Sequence, residues 1–312
     1  MPFDGRSACH AMIAIRTGSG VTLRFMSLSE PKTRLVDERR VSFHRTAERG
    51  GVPILLLHGG GLDRASLSWR HLFPALAASG RDVIAPDWPG YGDSEGLGRD
   101  HTLGDLGAWL LAFLDELHVE RVDAVGVSMG GGAALWLALE HPGRVRRIVA
   151  ADAYGLQDRA PFHGLSYLLT RLPFGAWSGI LMRRSRWAVR RALGSIFADP
   201  DRIDDALIDE MLDVLRGGTG LATFGRFQRG EVGPRRLRTV LFSRLDRVRA
   251  PVLIVHGERD TLVPLANARA AAERMPNARL VTLDAGHWPM RECPERFNQI
   301  VASFLERTEP FT

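Results

Sequence analysis

Short apolar runs alternate with stretches whose apolar positions recur every three to four residues, and this rhythm organises most of the chain. Residues 34–38, 40–46 and 53–57 read as β-strands, the last running directly into His58-Gly59-Gly60-Gly61. A helix over 69–78 and a strand over 82–86 follow, then a helix over 103–117 with Leu106, Trp109, Leu110, Phe113, Leu114 and Leu117 on one face. A strand ending at Val127, a helix over 131–139 and a strand over 145–151 complete the first part. After Asp152 the rhythm stops. Residues 154–245 carry helical patterns at 165–172, 177–184, 187–197, 205–215 and 221–229, with no convincing strand. Strand and helix then alternate again: strand 251–256, helix 265–275, strand 279–283, helix 295–307. Short strands alternating with helices of ten to fifteen residues predict an α/β fold with a mostly parallel sheet covered by helices on both faces. The expected division is an N-terminal extension (1–33), a first core portion (34–153), an inserted helical cap (154–245) and a second core portion (246–312).

Chemistry gathers at the ends of the predicted strands. Gly126-Val127-Ser128-Met129-Gly130 has the form G-x-S-x-G between an apolar strand and a small-residue helix. A serine on so sharp a strand-to-helix turn needs tiny neighbours two residues away on each side, and the helix start aims its positive end at the hydroxyl. A serine hydroxyl is a weak nucleophile without a base, and the base needs an orienting acid. Asp260 lies just beyond the strand 251–256, and His287 follows the strand 279–283, giving the order Ser128, Asp260, His287. Asp152, which also ends a strand, is the rival for the acid. The glycines after His58 let backbone approach a substrate carbonyl, so the N–H groups of Met129 and Gly60 are the expected oxyanion donors, with Gly61 second.

These motifs, with Pro86-Asp87-Trp88-Pro89-Gly90-Tyr91-Gly92-Asp93-Ser94 and Gly286-His287-Trp288, make the chain resemble the α/β-hydrolase superfamily over about residues 40–307. The resemblance implies Ser128 as nucleophile, His287 as general base and then acid, Asp260 as its orienter, and a structural role for His58. A serine at the elbow sets the chain apart from branches whose nucleophile is aspartate. The preferred activity is hydrolysis of a small carboxylic ester or lactone through an acyl-enzyme, with no cofactor and no metal. Three alternatives stand beside it: a C–C bond hydrolase of aromatic ring-fission products, a cofactor-free haloperoxidase or perhydrolase-like enzyme, and a ligand-binding protein that keeps the fold without catalysis. For the C–C hydrolases, Trp288 and Arg216 are candidate substrate contacts, Arg216 as the partner of a substrate carboxylate. Val127, where that group commonly carries asparagine, and Gly217, where an aromatic residue is typical, depart from its pattern.

Composition narrows the setting. The 312 residues are 45% apolar and 25% charged, as in an ordinary water-soluble globular protein. The net charge of +5 comes almost wholly from arginine, since Lys32 is the single lysine, and acids are interspersed nearly everywhere, which argues against a nucleic-acid partner. Arg183, Arg184, Arg186, Arg190 and Arg191 form an acid-free cluster that reads as a solvated helix face. Cys9 and Cys293 offer neither a disulfide framework nor metal-ligand spacing. The first residues lack a basic segment followed by an apolar one, and the apolar stretch 124–139 belongs to the serine turn, so a cytoplasmic location and no membrane span are expected.

Overall fold

The computed structural model describes residues 16–17, 20–21, 28–160, 162–172, 182–217 and 219–307. Arg16–Thr17 (β1) and Gly20–Val21 (β2) form a small antiparallel ribbon. The main sheet has eight strands: Lys32–Val36 (β3), Arg39–Arg45 (β4), Ile54–Leu57 (β5), Val83–Pro86 (β6), Val122–Val127 (β7), Val145–Ala151 (β8), Val252–Gly257 (β9) and Ala278–Leu283 (β10). Their order is β10-β9-β8-β7-β5-β6-β4-β3, parallel from β10 to β6, with β4 antiparallel to both of its neighbours. The strand predicted over 34–38 ends early because Asp37 and Glu38 both adopt positive φ (47° and 63°), the two-residue turn that closes a tight hairpin.

The central strands are apolar throughout because both faces are covered. Leu55 and Leu57 of β5 face one apolar core with Ala124, Ile148 and Ile254, whereas Ile54 and Leu56 face the other with Val125, Val127, Val149 and Val255. The first core is roofed by helices Leu103–Glu116 (α3), Met129–Glu140 (α4) and Leu265–Arg274 (α9), and the second by Leu72–Ala78 (α2) and Pro294–Glu306 (α11). Each fully buried large side chain in these layers, Phe113 and Phe297 among them, contributes about 1.5–3 kcal/mol.

One predicted helix starts late. Of residues 69–78 only Leu72–Ala78 is helical, Trp69–His71 separate it from a short preceding helix Ala65–Ser68 (α1), and the Ala65 N–H donates to Asp87 Oδ1 at 2.8 Å. Pro74 is tolerated because it sits in the first turn of α2, where its missing N–H had no helical partner. Between β8 and β9 the described residues hold four helices: His163–Thr170 (α5), Arg186–Leu193 (α6), Asp205–Gly217 (α7) and Gly220–Glu231 (α8). The helix predicted over 177–184 falls largely outside the described residues. Arg186 pairs with Asp205 and Asp209, and Arg190 with Asp205, so these two arginines of the acid-free cluster meet acids from the next helix. Buried Glu231 ties α8 to the core: its carboxylate accepts from the Leu103 N–H that opens α3 (2.6 Å), from the Tyr154 hydroxyl (3.1 Å) and from the Thr239 N–H (3.0 Å) and hydroxyl (2.6 Å). No helix among the described residues is long and apolar enough to cross a membrane. Helix Pro289–Glu292 (α10) lies between His287 and α11.

Candidate active site

Ser128 sits where β7 gives way to α4, with φ 51° and ψ −116°. A non-glycine residue held there is strained, and the surroundings that hold it are specific. The Ser128 N–H donates to the Ala151 carbonyl of β8 (2.9 Å), and the Ser128 carbonyl accepts from the Gly132 and Tyr154 N–H groups (both 2.9 Å). A Cβ on Gly126 would run into the Gly130 carbonyl, and one on Gly130 into the backbone of Leu57 and His58. Neither obstacle is the free end of a side chain. Gly126→Ala is therefore expected to destabilise the fold at the upper end of about 1–3 kcal/mol, seen as a lowered urea midpoint with an unchanged slope.

The His287 loop approaches from β10. Its Nδ1 lies 2.8 Å from Asp260 Oδ2, and both side chains are buried. The other oxygen of Asp260 accepts from the Leu262 N–H (2.7 Å) and the Val263 N–H (3.1 Å). Burial alone would push this carboxyl up, but the hydrogen bond and charge of His287, with those two N–H groups, hold it below the usual range. Among the described residues the Ser128 hydroxyl makes no hydrogen bond, so the contact from serine to His287 is not closed; in ligand-free sites such contacts are commonly long.

Asp152 stands behind this pair rather than in it. Fully buried, with φ 43°, it accepts the Gly257 N–H at 2.9 Å, while its second oxygen has no hydrogen-bond partner among the described residues. Burial, reinforced by the nearby Asp260, raises its carboxyl well above the ordinary value. His256 lies between the two acids, 3.6 Å from Asp152 and 3.7 Å from Asp260, with its Nε2 on the Val263 carbonyl at 2.9 Å and its affinity for a proton lowered by burial.

The glycine loop after β5 lies beside the serine. His58 is wholly buried and bound within its own loop: Nδ1 meets the Gly59 carbonyl (2.8 Å), Nε2 accepts the Trp88 N–H (3.1 Å), and its carbonyl accepts the Trp88 indole (2.8 Å). Burial lowers its pKa to about 3, so it is neutral and structural. A Cβ on Gly59 would come 3.6 Å from Ser128 Cβ, and one on Gly60 would come 2.5 Å from the Phe224 ring of α8. The Gly59 N–H is occupied by Asp63 (2.7 Å), whereas no hydrogen bond occupies that of Gly60 or Met129 among the described residues. Gly61, with φ 76°, completes the turn.

The remaining sequence candidates fall elsewhere. Trp288 is buried, with its indole N–H on Ser68 Oγ at 3.3 Å and its ring edge-on to Phe197, so it packs behind the His287 loop. Arg216 is exposed at the end of α7 and paired with exposed Asp213 at 3.1 Å; the structure does not bring it to the serine. Three further contributors are not singled out by the sequence motifs. Asp63 gathers Gly59, Arg64 and Ser68, and burial raises it to about 7. Glu292 accepts the Gly286 N–H (2.9 Å) and the Ala198 N–H (2.7 Å), while the His287 N–H donates to the Ile196 carbonyl (2.7 Å), so the 196–198 segment braces the histidine loop. Phe224 presses on Gly60. Only the hydrogen-bonding capacity of Asp63, five residues after His58, was a signal in the sequence.

A family model described as the alpha/beta hydrolase family matches residues 54–300. The chain belongs to that family. Among its relatives, a 2-hydroxymuconate semialdehyde hydrolase from Pseudomonas sp. is 33% identical over 270 residues, covering 83% of this chain and 88% of the relative. A 2-hydroxy-6-oxononadienedioate/2-hydroxy-6-oxononatrienedioate hydrolase from Cupriavidus pinatubonensis is 29% identical, covering 91% and 95%. Among solved structures, a meta-cleavage product hydrolase from Pseudomonas fluorescens superposes with a TM-score of 0.73 at 26% identity, over 89% of this chain and 98% of that one. Within this alpha/beta hydrolase, the glycine loop, the serine turn, Asp260 and His287 occupy the carboxyl ends of β5, β7, β9 and β10, the edge of the sheet where such open sheets place their ligands.

Proposed function

We propose that the chain is a serine hydrolase of small carbonyl substrates, with a carboxylic ester or lactone as the preferred class. The observation that carries this reading is the 2.8 Å bond between His287 Nδ1 and Asp260 Oδ2, which leaves Nε2 as the free nitrogen for the serine. In this mechanism Nε2 takes the Ser128 proton as Oγ attacks the carbonyl, the Met129 and Gly60 N–H groups hold the developing oxyanion, and His287 returns the proton to the leaving alcohol. Water then repeats the sequence on the acyl-enzyme. The helices between β8 and β9 act as a cap that selects the substrate; Phe224 supports this reading by lying against the oxyanion loop.

A second reading follows from the relatives, whose names describe hydrolysis of ring-fission products. It lacks an arginine at the site from position 216, which pairs with Asp213 instead. Purified enzyme offered p-nitrophenyl acetate and butyrate beside a 2-hydroxy-6-oxo-dienoate separates the two. Ester turnover well above dienoate turnover is expected. Dienoate turnover alone, lost in Arg216→Ala, would overturn the ester assignment.

The oxyanion role has its own check. Gly60→Ala drives a methyl group into the Phe224 ring, which can swing aside, so the fold is expected to survive while the loop shifts. Turnover should fall about 10²-fold. Adding Phe224→Ala should restore part of the loss; no recovery would mean that the glycine serves the loop conformation alone.

A further inference from the structure

The glycine loop follows β5 and the His287 loop follows β10, and β7, β8 and β9 stand between those two strands in the sheet. Sheet pairing therefore does not fix one loop against the other, although both must meet the same reacting group. A buried chain of hydrogen bonds spans the gap. The indole N–H of Trp288, next to His287, donates to Ser68 Oγ of α1 (3.3 Å). The Ser68 hydroxyl donates in turn to Asp63 Oδ2 (2.7 Å), and that oxygen also accepts the Gly59 N–H (2.7 Å). Asp63, Ser68 and Trp288 are all buried. A second bond ties α1 to the same side, from Arg291 Nη1 to the Leu67 carbonyl (2.9 Å).

Asp63 meets donors on both of its oxygens, since Oδ1 accepts the Arg64 N–H (2.8 Å). A proton on either oxygen would stand against a group that already donates to it, so this network needs the carboxylate. The groups around Asp63 do not offset its charge. His58 Nδ1, 3.8 Å away, belongs to a ring whose pKa burial lowers to about 3. Arg64 contributes its main chain, and Arg291 is held by Glu210 at 3.2 Å. Asp87 is a second buried acid, and the phenol of Tyr91 is pushed up by burial and further by Asp63. Burial raises Asp63 to about 7, against the bonds from Ser68, Gly59 and Arg64 and with a further push from Asp87.

We propose that Asp63 is a positioning residue of the active site: as a carboxylate it locks the oxyanion loop to the histidine loop through Ser68 and Trp288. The inference rests on the hydrolase reading of Ser128. A proton on Asp63 breaks the chain at its centre by freeing the Gly59 N–H or the Ser68 hydroxyl. The next N–H along the loop, that of Gly60, then loses its placement against the oxyanion, while contacts to the rest of the substrate remain. The loss falls on kcat more than on KM.

Steady-state kinetics on p-nitrophenyl acetate from about pH 5.5 to about pH 8.5 test it. Wild type, Asp63→Asn and Ser68→Ala are compared as whole chains, with fluorophosphonate labelling of Ser128 in each. An amide offers one accepting oxygen where the carboxylate uses two. Asp63→Asn should therefore lose about tenfold or more in kcat at the alkaline end, part of the about 10²–10³ that a whole oxyanion donor supplies, with KM within about threefold. The ratio of wild-type to variant kcat should shrink to within about threefold at the acid end, where the wild type also carries a neutral Asp63. Groups common to both enzymes, Asp87 and His287 among them, cancel from this ratio. Ser68→Ala takes a donor from the carboxylate, so its kcat should reach its alkaline plateau at higher pH than the wild type does. This variant decides the question if Asp63→Asn folds poorly. A purely structural role would lower kcat equally at every pH. A constant ratio for Asp63→Asn, or an unmoved plateau for Ser68→Ala, would overturn the proposal and leave a labelled, active wild type as a serine hydrolase. Wild-type enzyme that neither labels nor turns over ester would overturn both readings together.

Discussion

Ser128→Ala is expected to lower turnover of every carbonyl substrate by about 10⁴-fold or more while leaving the fold intact. The two effects separate for a structural reason. The strain at φ 51° is a property of the backbone and the Cβ, which alanine keeps, and the bonds of Ser128 to Ala151, Gly132 and Tyr154 are all made by its main chain. Its hydroxyl makes no hydrogen bond among the described residues, so removing it leaves no buried group unpaired, and Tm should move by less than about 2 °C. The measurements are kcat on p-nitrophenyl acetate, labelling by a fluorophosphonate probe, and a melting curve. Wild-type enzyme labelled at Ser128, with the variant inert and equally stable, is the expected result. A variant within tenfold of wild type would place the nucleophile elsewhere; failure of the wild type to label or turn over any substrate would favour the ligand-binding reading of the fold.

The strands were legible because the central ones are buried on both faces, which forces unbroken apolar runs, and because turn residues bound them. The serine turn was legible for a related reason: Gly126 and Gly130 are demanded by local geometry, so the requirement is written within five residues. What stayed hidden depends on contacts between distant residues. Nothing near Glu292 shows that it accepts the Ala198 N–H 94 positions earlier, and nothing near Phe224 shows that it meets Gly60. Arg216 illustrates the converse. Its place late in a helix suggested a substrate carboxylate, but the rotation of α7 against the core, fixed by buried Leu212 and Leu215, turns it toward solvent and Asp213. The helix expected over 187–197 likewise stops at Leu193, because the following residues turn to offer the Ile196 carbonyl to His287.

The choice between Asp260 and Asp152 gives the second large effect. Asp260→Asn should lower kcat by about 10³–10⁴-fold near neutral pH, because an amide facing His287 Nδ1 stabilises neither the imidazolium nor the tautomer that leaves Nε2 free to accept the serine proton. Asp152→Asn should change kcat by less than about threefold: its carboxyl is already driven toward the neutral form, and an amide oxygen can still accept the Gly257 N–H. The same substitutions should diverge in stability, with signs set by linkage. Folded Asp152 binds its proton more tightly than the unfolded chain does, so its contribution is fully present below the ordinary carboxylate pKa and declines as pH rises toward the folded value. Asp152→Asn should therefore gain on the wild type in urea midpoint between pH 5 and pH 8. Folded Asp260 has its pKa lowered, so its contribution is present above the ordinary value and lost as pH falls through the folded one, and Asp260→Asn should compare worst with the wild type near neutrality. An Asp260→Asn enzyme with full activity beside an inactive Asp152→Asn enzyme would transfer the orienting role to Asp152, and would require His287 to turn away from the acid it now faces.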